Sequence, residues 1–130
     1  MAQKPIEVIL TRHLASYLAV PIFIVGPDGA LIFFNEPAER LLGMRFEETG
    51  EMPVEEWATT FAPIDDDGKP IPPERVPLVV AIAERRSVHD TIRIRSMDGV
   101  VKRISVTAFP LVGQSRAVLG GIAIFWELRS

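Results

Sequence analysis

A chain of 130 residues holds one domain of ordinary size, and its 48% hydrophobic content is enough for a core without disulfide or metal staples. The formal net charge of -3 speaks for solubility and against a general affinity for nucleic acid, which needs a basic surface to release counterions. Cysteine is absent, which excludes disulfides, thiolate metal sites and thiol nucleophiles.

The opening MAQKPIEVIL lacks the continuous apolar core of a signal peptide, and stretches such as Ala19 to Val25 are too short to span a bilayer. A cytoplasmic location without a membrane span is therefore expected. Between Ile6 and Ala19, the residues Ile6, Ile9, Leu10, His13, Leu14, Tyr17 and Leu18 recur at helical spacing and form one stripe. Glu7, Thr11, Arg12 and Ser16 take the other side, and Pro21 ends the helix. Residues 1–19 thus read as an amphipathic helix for capping or dimerisation, and residues 20–130 as the body of the domain.

Two apolar runs follow, Ile22 to Val25 and Ala30 to Phe34, and the Gly26-Pro27-Asp28-Gly29 between them predicts a hairpin. Asn35 is placed to cap a helix starting at Glu36 and Pro37, with Ala38, Leu41 and Leu42 as its buried face and Gly43 as its stop. Val54 to Phe61 reads as one or two helical turns carrying Trp57, and Ala62 to Val76 as a loop rich in Pro, Asp and Gly. Pro77 opens a clearer helix, Leu78 to Arg85. From Val88 the period changes to two, over Thr91 to Arg95, Lys102 to Leu111 and Leu119 to Leu128, which predicts a three-stranded antiparallel meander.

Five strands result, with the helices gathered on one face of the sheet, an α+β architecture. Ile92 and Ile94 alternate with Arg93 and Arg95, and Ile104, Val106 and Ala108 alternate with Arg103, Ser105 and Thr107, so those two strands should have one solvated face. In the last strand Ala123 and Phe125 face one way and Ile122, Ile124 and Trp126 the other. Both faces are apolar, as in Ile22 to Val25, which places these strands mid-sheet. The N-terminal helix, from this chain or a partner copy, is the spare element to cover Ile122, Ile124 and Trp126. A homodimer interface is accordingly expected around Ile6, Ile9, Leu10, His13, Tyr17, Ile122, Ile124 and Trp126.

The element order resembles that of PAS domains. PIFIVGPDGALIFFNEPAERLLG is similar to their opening, DGKPIPPERVPLVVAIAERRSV to the segment before their fourth strand, and RISVTAFPL followed by LGGIAIFWEL to their closing strands. The likeness runs from Val20 to Leu128 and implies a five-stranded antiparallel sheet, a role in signal sensing or relay, and no enzymatic activity. Many PAS domains exit through an Asp-Ile-Thr-like segment into an output module. Glu127-Leu128-Arg129-Ser130 stands at that place here, so the domain is expected to act in trans on a signalling partner or to be a fragment of something longer.

PAS domains often hold a ligand between the helices and the inner sheet face. The resemblance puts Phe23, Val25, Ile92, Ile94, Ile104, Val106, Ala108, Ala123 and Phe125 there, with Val79, Ile82, Trp57 and Phe61 on the other side. These residues either line an apolar pocket for a small apolar ligand or interdigitate into a dry core. Flavin is disfavoured, because light-sensing relatives use a cysteine and amide side chains, whereas the corresponding inner positions are Ile94, Ile104 and Phe125. Haem is disfavoured because PLVVAIAERR has no histidine; His89, beside Asp90, reads as a turn histidine. His13 would act as a pH switch only if two copies met.

Asp65-Asp66-Asp67 lacks the alternate spacing of a calcium loop and reads as solvated. Arg93, Arg95 and Arg103 read as a solvated face or as a basic stripe for an acidic partner. No phosphate loop, HExxH or GxSxG occurs. Two rival classes remain: a ligand-free dimerisation domain, and a cone-shaped enzyme of the ketosteroid-isomerase type. The enzyme would need a buried acid or tyrosine in its pocket, and the one tyrosine is Tyr17.

Overall fold

A computed structural model describes residues 4–128. Met1–Gln3 of the opening segment and Arg129-Ser130 of the exit segment lie outside the described residues. The elements are α1 (Ile6–Ala15), β1 (Ile22–Val25), β2 (Leu31–Phe34), α2 (Glu36–Leu42), α3 (Phe46–Thr49), α4 (Val54–Thr60), α5 (Pro77–Glu84), β3 (Val88–Arg95), β4 (Val101–Val112) and β5 (Val118–Glu127). The five strands form one antiparallel sheet in the order β2-β1-β5-β4-β3. The two strands apolar on both faces, β1 and β5, lie side by side in its interior, where both faces are covered except at the Trp126 end of β5.

Local chemistry accounts for most boundaries. The β1–β2 turn closes through Gly26 N–H donating to Ala30 O at 2.8 Å, and Gly29 takes a φ of 87° that a side chain would strain. Asn35 Oδ1 accepts from Ala38 N at 3.2 Å, and Gly43 ends α2 in the left-handed region. The last carbonyls of α2 find partners across the fold. Met97 N donates to Leu42 O at 2.9 Å and Lys102 Nζ to Leu41 O at 2.8 Å, tying the helix to the β3–β4 turn. Two single turns, α3 and a 3-10 turn at Pro73–Arg75, arise where no periodicity announces a helix.

The main core lies between the sheet and α2–α5, with Phe23, Trp57, Phe61, Ile94, Val106 and Phe125 among its buried members. A second apolar cluster on the outer face joins Val8 and Ala15 of α1 to Ile22, Ile24, Ile32 and Ile122. α1 therefore covers the outer face from its own chain, but two expectations about it are corrected. It ends at Ala15 rather than Ala19, where the Ala15 carbonyl accepts both Leu18 N at 3.2 Å and Asn35 Nδ2 at 2.9 Å, which draws the chain toward the sheet. It also docks with the face opposite the long apolar stripe. Val8 and Ala15 are 1% and 2% exposed, whereas Leu10 and Leu14 are each 60% exposed. The physical reason is fit. Small Ala15 and Val8, with Thr11 between them bonded to Glu7 O at 2.7 Å, allow close approach to the isoleucine ridge. Arg12 then lays its guanidinium 4.7 Å above the Phe33 ring.

Candidate functional site

Phe23 on β1 organises the inner face. Its ring stacks on Phe34 at 6.0 Å and meets Trp57 edge-on at 5.1 Å and Phe61 edge-on at 6.2 Å. Trp57 is held in place by its indole N–H, which donates to Gly29 O at 2.9 Å in the β1–β2 turn. Behind these rings lies a cavity of about 80 Å³. Phe23, Ile92, Ile94, Ile104, Val106, Ala123 and Phe125 form its sheet wall. Leu42, Trp57, Phe61 and the Pro63 and Val76–Leu78 segments form its helical wall. Drug-sized pockets are several times larger, roughly 300–1,000 Å³.

Every lining side chain is apolar apart from the indole N–H already committed to Gly29. Among the described residues, no buried side-chain nitrogen or oxygen lacks a hydrogen-bond partner. The cavity thus presents neither a charge nor a spare donor. No amide, cysteine or histidine lines the space.

The structure brings nine of the thirteen named pocket candidates, Phe23, Trp57, Phe61, Ile92, Ile94, Ile104, Val106, Ala123 and Phe125, to the cavity. The other four lie outside its lining. Val25 and Ala108 are fully buried elsewhere in the same core, and Val79 and Ile82 are half-buried on α5. Ile82 sits over Gly121, where a Cβ would come within 3.1 Å of it, so it covers the end of the sheet away from the cavity. Leu42, Pro63, Val76, Pro77 and Leu78 were not among the candidates. Leu42 was legible as part of the buried face of α2, but no periodicity marks Pro63 or Val76, which enter through the path of the loop.

The dimer candidates fall on two different surfaces. Ile6, Ile9, Leu10, His13 and Tyr17 are exposed on and beside α1, with the His13 and Tyr17 rings 5.2 Å apart. Ile122 is buried beneath α1 and Ile124 is half-buried there, while Trp126 stands 46% exposed beyond the end of the helix. His89 lies in β3 rather than in a turn, with Nδ1 3.0 Å from Thr107 Oγ1, and Asp90 turns to Thr91 N. Asp65 Oδ1 accepts from Asp67 N and Lys69 N, both at 2.9 Å, and Asp66 reaches Arg103.

No protein-family profile matches the chain, and no curated protein sequence does either. Solved structures do. Over 92% of its length the chain is similar to the PAS domain of a protein from Colwellia psychrerythraea, with 19% identity, 97% of that domain covered and a TM-score of 0.66. Over 96% of its length it is similar to the LOV protein of Rhodobacter sphaeroides, with 15% identity, 69% of that chain covered and a TM-score of 0.75. Over 92% it is similar to the PAS domain of the nitrogen regulation protein NR(II) from Vibrio parahaemolyticus, with 15% identity, 98% coverage and a TM-score of 0.64. The chain has the PAS fold. Among the described residues, no helix is long and apolar enough to cross a membrane.

Proposed function

We propose that this PAS-fold chain is a regulatory module that senses a small apolar molecule and relays its presence through contacts between two copies. The observation that carries this reading is a cavity walled only by apolar side chains and joined to the sheet strands that support α1. Phe23 lines the cavity, Phe34 stacks on it, and the next residue, Asn35, bonds to the end of α1. The exposed Ile6, Leu10, Leu14 and Tyr17 on the outer side of α1 supply the dimer surface. The cavity offers no ionisable group to catalysis, and its chemistry favours neither flavin nor haem. The competing reading, a ligand-free dimerisation domain, draws support from the small volume of the cavity.

Native mass spectrometry of the purified protein, beside its denatured mass, tests the reading. Added mass lost on denaturation, on a dimer that Leu10→Glu/Leu14→Glu converts to monomer, is the expected result. If none is retained, titration with benzene should raise the thermal midpoint. A dimer with no retained mass and no benzene response would replace the sensor with a dimerisation module, and a monomer would remove the relay.

A further inference from the structure

The outer face of the sheet is covered unevenly. The outer cluster under α1 takes in β1, β2, Ile122 and Ile124 of β5 and the Phe109–Leu111 end of β4, and leaves open β3, the Arg103 end of β4 and the Trp126 end of β5. On that open half the strand register sets Arg93 directly opposite Arg103, and Ser105 opposite Trp126. Period-two alternation adds Arg95 to the same face. Among the described residues, the carboxylate paired with these arginines is Asp66, 3.4 Å from Arg103 Nε in a pair that is about half exposed.

Like charges directly opposite on neighbouring strands repel, so the Arg93–Arg103 pair works against the sheet that carries it. It stands in a chain with a net charge of -3, so a basic composition does not account for it. An exposed tryptophan beside arginines is the composition of an interface anchor, not of an ordinary solvated face. Guanidinium groups take carboxylates in bidentate geometry, and an indole supplies a flat apolar platform between them.

We propose that Arg93, Arg95 and Arg103, arranged around Trp126, form a docking face for an acidic peptide segment of a partner protein. Its carboxylates would sit on the guanidinium groups and an apolar side chain on the indole. The rest of the surface disfavours a polyanion. Glu47 and Glu51 pair with Arg45 and Lys4, but Glu48, Glu55 and Glu56 of α3–α4 add to the net charge of -3, which works against a long run of phosphates. The face is separate from both the cavity and the exposed stripe of α1, and the proposal stands or falls independently of ligand sensing.

The test is fluorescence anisotropy of a fluorescein-labelled peptide of alternating Glu and Leu, titrated with the full chain at low ionic strength. Binding that weakens with salt, and falls about tenfold in Arg93→Gln/Arg103→Gln, is expected, with no binding of an alternating Lys and Leu control. Trp126→Ala should weaken binding at all salt concentrations. Absent binding, or binding indifferent to the double substitution, would overturn the proposal. Tighter binding of a single-stranded oligonucleotide of equal charge would also overturn it, in favour of a nucleic-acid partner.

Discussion

At the scale of single residues, Asn35 does more than cap a helix. Its Oδ1 accepts from Ile22 N at 2.9 Å and from Ala38 N at 3.2 Å, while its Nδ2 donates to Ala15 O and Val20 O, both at 2.9 Å. One buried amide thus joins α1, the following linker, β1 and α2, with every hydrogen-bonding group used. Asn35→Ala should cost about 3 kcal/mol in urea unfolding, because buried backbone groups lose their partners. Asn35→Asp keeps both acceptors but turns a carboxylate oxygen toward two carbonyls. Hydrogen exchange should then quicken in α1 more than in α2; equal quickening would show that the amide does not tether α1 separately. Asp98, in the β3–β4 turn, is the second residue with a measurable signature. The Ser96 hydroxyl, and next the Val100 N–H, donate to its carboxylate and hold its pKa below the ordinary value. A depressed folded-state pKa contributes stability that is present above the unfolded value and lost as pH falls through the folded one. Stability should therefore decline on acidification below about pH 4, and the component due to this carboxylate should vanish from the acid unfolding curve of Asp98→Asn.

Among the elements, α1 carries the clearest contrast. One side, Val8 and Ala15, is buried on the sheet, and the other, rich in leucine and isoleucine, faces solvent. Val8→Ala should cost on the order of 2 kcal/mol, since it removes packed methyl groups from the outer cluster. Leu10→Ser/Leu14→Ser should leave monomer stability within about 0.5 kcal/mol and act on oligomeric state, read by analytical ultracentrifugation. If the serine variant unfolds and the alanine variant does not, the assignment of the two faces is reversed. The same contrast limits Ile124→Glu as a dimer probe: Ile124 is half-buried in the outer cluster, and a charge there would disturb the fold itself. α5 shows the complementary device. Gly121 leaves room for Leu78 and Ile82, whose carbons would lie 3.0 and 3.1 Å from a Cβ at that position, so the helix can settle on β5.

For the molecule as a whole, β5 is the shared wall. Its Ala123 and Phe125 border the cavity, while Ile122 and Ile124 belong to the cluster under α1. A change in packing on the inner face therefore has a direct mechanical neighbour on the outer one. Ligand linkage belongs to this scale: a cavity ligand at a hundred times its Kd would raise unfolding stability by about 2.7 kcal/mol. The basic Trp126 face and the exposed side of α1 give the same domain two outward surfaces of different chemistry, one charged and one apolar.

The sequence by itself determined the five strands, the helices α2 and α5 and the sheet. Turn chemistry at Gly26 to Gly29, the Asn35 cap, the Gly43 stop and the period of two from Val88 each act over a few residues. Local geometry suffices to read them, and the two-sided apolar character of β1 and β5 places both strands in the sheet interior. Tertiary structure alone decided which side of α1 docks, since the periodicity favours the longer stripe while the isoleucine ridge accepts the smaller Val8 and Ala15. It alone brought Pro63 and Val76 to the cavity and left Val25, Val79, Ile82 and Ala108 outside it. Packing between surfaces depends on shape over long separations in the chain, and no repeat along the sequence records that shape.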